Sequence, residues 1–138
     1  MSLSADLSKS LATVISASWF TIENGTFIYT RVDEVNNADK HLLVIRDGEE
    51  ITVVTDESNL PFPGRYEINK EKWKLINIRC GNPFYCVGFI AAITGALANA
   101  GIDIVLTSSF SNDLVLVMEK DLTQSIGVLK EIGFTQRT

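Results

Sequence analysis

Residues 76–134 read INIRCGNPFYCVGFIAAITGALANAGIDIVLTSSFSNDLVLVMEKDLTQSIGVLKEIGF. The stretch alternates between two periods. Residues 72–80 have the strand period of two, with Ile76, Ile78 and Cys80 on one side. Gly81-Asn82-Pro83 turns the chain, and a helix is predicted over 84–100, stopped by Gly101. A strand follows over 102–110, then a Ser111-Asn112-Asp113 turn and another strand over 114–118. A final helix is predicted from Asp121, with Gln124 completing a capping-box pattern and Gly133 at its end. Leu122, Ile126, Leu129 and Ile132 form its apolar stripe.

This β-α-β-β-α order lacks one strand of a ferredoxin-like α+β unit (βαββαβ), and only four residues follow Phe134. The missing strand must come from the N-terminal half. Two further features ask for cover. Leu114 to Met118 is apolar without a break, so both faces of that strand need burial. Phe84, Val87, Phe89, Ile90, Ile93 and Leu97 surround the first helix, which predicts burial on more than one side. Gly88 and Gly95 lie on one face of that helix, which suits either tight packing on its own sheet or a subunit contact.

The N-terminal half is mainly β. Leu3, Leu7, Leu11, Val14 and Ile15 share one face of a short predicted helix over 3–15. Asn24-Gly25 predicts a hairpin joining 19–22 to 26–32, and Asp47-Gly48 a second joining 41–46 to 49–55. Pro61-Phe62-Pro63-Gly64 is the strongest punctuation and divides the chain into residues 1–63 and 64–138.

Composition excludes several classes. Net charge is −5 and the basic residues are scattered singly, which argues against nucleic-acid binding. No run reaches the roughly 18 apolar residues of a membrane span, and no basic-then-apolar leader is evident. A cytoplasmic protein is expected. Cys80 and Cys86, six apart, match neither a CxxC pair nor a zinc half-site, and His41 is the sole histidine. All three read as structural, so neither catalytic residues, a metal site nor a cofactor is expected.

The 76–134 stretch resembles an ACT domain, and is most similar to small proteins with two ACT-like units, like aspartokinase regulatory regions and cytosolic arginine sensors. The resemblance rests on Gly88, "LANAGI", "SSF-SND-LVLV" and "VLKEIGF", with "GTFIYTRV", "EEITVVTDESNLP" and Trp73 upstream. It implies two ACT-like units packed together with strand sharing: 1–63, mainly β with a short N-terminal helix, and 64–138, the C-terminal ACT domain. It also implies a non-catalytic regulatory homodimer binding a small amino acid at an ACT–ACT interface. The implied ligand residues are Gly81, Asn82, Phe84 and Val87 at the helix start, and Ser108, Ser109, Phe110 and Asp113 beside the hairpin. Unpaired helix N–H groups would take the carboxylate, and Asp113 the ammonium. Each has a plainer reading: Asp113 as turn former, the serines as backbone hydrogen-bonders, Gly81 as a conformational necessity. Pro83, Ser109 and Leu114 depart from the family pattern, where an acid, Thr and an aromatic are usual. A ligand-free dimerisation module is the alternative.

Overall fold

The computed structural model describes residues 9–81 and 86–138. In chain order the elements are α1 (Lys9–Ser16), β1 (Trp19–Ile22), β2 (Phe27–Val32), β3 (Leu43–Arg46), β4 (Ile51–Asp56), β5 (Tyr66–Ile68) and β6 (Trp73–Arg79). Then come α2 (Phe89–Asn99), β7 (Ile104–Ser108), β8 (Asp113–Met118), α3 (Leu122–Ile132) and β9 (Thr135–Gln136). Contacts divide them into two units, one of Met1–Glu23 with Lys74–Thr138, the other of Asn24–Trp73. The boundary expected at residues 61–64 therefore falls inside the second unit. Phe62 anchors that loop, packing edge-on against His41 and Tyr66 at ring distances of 5.5 and 5.2 Å.

The discontinuous unit has strand order β7-β8-β6-β1-β9. β1 supplies the strand missing from the βαββα sequence, pairing antiparallel with β6 from Trp19↔Arg79 to Ile22↔Ile76. Asn24-Gly25 accordingly makes no β1–β2 hairpin, because β1 takes β6 as its partner. The tail after Phe134 does form a strand, only two residues long, parallel to β1. The expected N-terminal helix begins at Lys9 among the described residues, and it belongs to this unit rather than to the first half of the chain.

Leu11, Val14 and Ile15 of α1, Phe89, Ile93 and Leu97 of α2, and Leu129 of α3 pack with Phe20, Ile76, Ile78, Val115 and Val117 from the sheet. Burying each large apolar side chain stabilises by about 1.5–3 kcal/mol. Leu114 and Leu116, of opposite parity on β8, are also buried but lie outside that cluster. Both faces of β8 are thus covered within one copy of the chain, so its apolar run requires no second subunit.

α2 begins five residues later than predicted. Gly88 adopts φ 89°, a left-handed conformation, and serves as the N-cap before Phe89. Cys86 and Val87 precede the helix, while Asn82 to Tyr85 lie outside the described residues. Burial of α2 follows one stripe, Phe89, Ala92, Ile93 and Leu97, rather than all sides. Its C-terminus closes with Gly101 N–H donating to Ala98 O and Ile102 N–H to Leu97 O, the Schellman arrangement. At α3 the capping box does not form. A 3-10 turn over Glu119–Asp121 runs into the helix and leaves Asp121 with helical backbone angles. Gln124 instead donates to Ala100 O.

The second unit has strand order β3-β4-β2-β5, with no α-helix among its described residues. The Asp47-Gly48 hairpin forms as predicted, with Arg46 opposite Ile51. His41 is structural: its Nε2–H donates to Asn36 O at 2.7 Å, leaving Nδ1 to accept from the Thr55 hydroxyl at 2.9 Å.

Candidate functional site

The β7–β8 hairpin and the start of α2 enclose a cavity of about 290 Å³ in the discontinuous unit. The hairpin closes tightly. Ser108 pairs with Asp113, and Ser109 N–H donates to Asn112 O at 2.8 Å, so Phe110 and Ser111 form a two-residue tip. Asp113 is the first residue of β8 rather than part of the turn, because its backbone is already in the ladder.

Three of the eight predicted ligand residues present polar groups to this cavity. Ser108 Oγ donates to Asp113 Oδ1 at 2.7 Å. That bond fixes the orientation of the carboxylate at the cavity. Ser109 Oγ is used locally, accepting from Asn112 N–H at 3.1 Å, the backbone role that its plainer reading required. Phe110, the fourth predicted residue at the cavity, is 99% exposed at the hairpin tip.

The helix-start residues fare differently. Val87 is 99% exposed and does not line the cavity, because α2 starts beyond it. Gly81 is buried and also absent from the lining. Its N–H donates to Ser18 Oγ at 2.7 Å, and its φ is not left-handed. A Cβ there would come within 2.9 Å of Ala17 backbone atoms, so close packing, not turn angles or a ligand, calls for glycine. Asn82 and Phe84 lie outside the described residues.

Sequence reasoning missed Phe89, Ile90, Cys80 and Cys86, all of which line the cavity. Gly88 directly before Phe89-Ile90 was the available signal, since a glycine there can be an N-cap rather than a helix-interior residue. The cysteines are not two equivalent buried hydrophobes: Cys80 is 8% exposed, whereas Cys86 is only partly buried. Burial pushes the Cys80 thiol up from its ordinary 9.0, the charges of Cys86 and Asp113 add to this, and the Ser18 hydroxyl opposes it. Cys80 is therefore a protonated thiol at neutral pH, the reverse of an activated nucleophile.

Among the described residues lining the cavity, Asp113 is the one that carries a charge, and the apolar wall comes from Phe89 and Ile90. The positive end of the α2 dipole opens beside it, although Phe89 N–H is already bonded to Cys86 O at 3.1 Å. A carboxylate, a hydroxyl and a helix N-terminus around an apolar pocket suit a small molecule carrying both charges and an apolar side chain. A second depression, of about 370 Å³, surrounds Arg31 on the other unit. Its guanidinium is already held by Glu67 at 2.6 Å and Glu50 at 3.5 Å on an exposed surface. Among the described residues no group of three or more His, Cys, Asp and Glu could hold a metal ion, and no helix is long and apolar enough to cross a membrane.

Residues 69–131 match the ACT domain family model. A search of curated proteins finds no match. Among solved structures, a Vibrio cholerae protein of unknown function superimposes with a TM-score of 0.76 at 20% identity, over 91% of this chain and 97% of that one. An Agrobacterium tumefaciens protein gives 0.70 at 21%, covering 87% and 92%. The regulatory subunit of aspartate kinase from Thermus thermophilus gives 0.60 at 8%, covering 82% and 95%. At these identities the likeness is one of fold.

Proposed function

We propose that this chain, which carries an ACT domain over residues 69–131, is a non-catalytic regulatory protein that binds a small amino acid in the hairpin–α2 cavity. The observation that carries the reading is Asp113, a lone carboxylate oriented by Ser108 at the edge of an apolar pocket. Asp113 takes the ammonium group, the N-terminal end of α2 takes the carboxylate, and Phe89 and Ile90 meet the side chain. A second carboxylate on the ligand would face Asp113, so neutral apolar amino acids are favoured over aspartate and glutamate. The fully exposed Phe110 at the tip supports a homodimer in which a second copy covers it.

Thermal unfolding with each of the twenty amino acids at millimolar concentration tests this reading. A ligand at 100 times its dissociation constant adds about 2.7 kcal/mol. The binding amino acid is then titrated into Asp113→Asn, which keeps an Oδ1 acceptor for Ser108 and loses only the charge. Removing one partner of a desolvated charge pair costs 2–5 kcal/mol or more, so binding falls at least about thirtyfold. Stabilisation by no amino acid, or equal affinity of the variant, rejects the site. Sedimentation over a concentration series reads the dimer. A dimer indifferent to every amino acid would leave only an assembly module.

A further inference from the structure

We propose that β3 pairs antiparallel with β3 of a second copy of this chain, about a twofold axis at Ile45. This surface belongs to the second unit and stands without amino-acid binding. Among the described residues β3 pairs with β4 alone, so it is an end strand of its unit. Three of its four residues are exposed, and Val44 and Ile45 show 38% and 43% of their surface on opposite faces. End strands are usually defended by charge, proline or shortness. β5, at the other end of this unit, is shorter and has Glu67 at its centre with Arg65 just before it. β3 has neither proline nor lysine, and its single charge, Arg46, is its last residue.

The backbone selects the register and the occupant. Asp47 N–H donates to Glu50 O at 3.1 Å. By the alternation of an antiparallel ladder, Ile45–Thr52 and Leu43–Val54 are then the hydrogen-bonded pairs. The N–H and C=O groups of Val44 and Arg46 therefore point away from β4, toward the open side. Setting Arg46 opposite itself would place like charges directly across the ladder. Setting Val44 opposite itself would put Arg46 across from Leu42, whose N–H is already given to Val54 O at 2.9 Å. With the axis at Ile45, Val44 of each copy faces Arg46 of the other, and each pair exchanges both its N–H···O bonds. Ile45 then meets its own counterpart in the close, non-hydrogen-bonded position. Leu43–Arg46 holds a cation and no carboxylate, so two chains of net charge −5 meet here without opposing acids. So short an edge buries far less than the roughly 1,200 Å² of a stable interface, and the pairing is weak and concentration-dependent.

The test is cross-linking of the full chain carrying Ile45→Cys, with the parent chain as baseline. Opposed residues of a non-hydrogen-bonded pair have Cα atoms about 4.5 Å apart, within the roughly 4.4–6.8 Å that a disulfide spans. Under diamide, Ile45→Cys should give a covalent dimer joined through position 45, read by non-reducing electrophoresis and peptide mapping. Its yield should rise with protein concentration. Val44→Cys, whose side chain faces Arg46 of the second copy, should give much less. Adding Val44→Pro to Ile45→Cys should abolish the link, because it removes an outward N–H that the pairing with β4 does not use. Circular dichroism and the urea midpoint show whether that variant keeps its fold; if it does not, the contrast between Ile45→Cys and Val44→Cys decides. The proposal is overturned if no link forms through position 45, which would leave the edge to another segment or to solvent. Equal yields from Ile45→Cys and Val44→Cys, or a link that survives in a folded Val44→Pro variant, overturn it as well.

Discussion

Gly81 lies where the end of β6 passes the end of α1. Ser18 joins the two: its hydroxyl donates to Val14 O at 2.6 Å and accepts the Gly81 N–H at 2.7 Å, with the serine 1% exposed. A buried hydroxyl satisfied on both sides holds its neighbours at a set distance. Backbone atoms of Ala17 leave no room for a methyl group at Gly81. Gly81→Ala should therefore destabilise by about 1–3 kcal/mol, the usual cost of overpacking where backbone must shift. The expected signature is a lower urea midpoint with an unchanged slope. An unchanged midpoint would show that α1 and β6 separate without cost, and that Gly81 has another purpose.

At the scale of elements, two similar dipeptides have opposite fates. Asn24-Gly25 and Asp47-Gly48 both carry the type I′ hairpin signature. Only the second makes a hairpin, and its Gly48 is not left-handed. Asp47 Oδ1 holds the turn by accepting the N–H groups of Glu49 and Glu50 at 3.1 and 3.2 Å. Nothing lies within 4 Å of a Cβ placed on Gly48. Gly48→Ala should thus stabilise by about 0.4–1 kcal/mol, by restricting the unfolded chain. Gly25 has φ 107°, and a Cβ there would overlap Asp56 Oδ2, the acceptor of the Thr26 N–H. Gly25→Ala should lose about 1–2 kcal/mol from the left-handed conformation alone. Paired chemical denaturation of the two variants checks the contrast, and shifts of the same sign would contradict it.

The whole molecule depends on a strand drawn from far upstream. β1 lies between β6 and β9 in the sheet, and its Phe20 is fully buried among residues of β6, β8 and α2. A fragment of residues 64–138 contains every residue matched by the ACT resemblance from 76 to 134, yet leaves β6 without that partner. It should show no cooperative unfolding and no dispersed amide spectrum, because losing a core phenylalanine alone typically costs 3–5 kcal/mol. A cooperatively folded fragment would mean that the sheet closes on β9 instead. The same burial bears on assembly. With both faces of β8 covered in one copy, a dimer has to be argued from exposed surface and not from the core.

Local chemistry was legible in the sequence wherever it acts over a few residues. A period-two run placed β6, an unbroken apolar run placed β8, glycine stops ended α2 and α3 where Schellman bonds close them, and Asp47-Gly48 turned a hairpin. The need for an N-terminal strand also followed, since four residues after Phe134 cannot form a full one. Which strand, and where the units divide, depended on pairing partners more than 50 residues apart, and no local pattern encodes a partner. The candidate site divides the same way. Ser108, Phe110 and Asp113 belong to one hairpin, so their proximity was readable from spacing. Cys80, Cys86 and Phe89 reach them only because β6 and α2 pack beside that hairpin. Val87 was misplaced because a left-handed Gly88 delayed the helix, a backbone choice that glycine permits but does not announce.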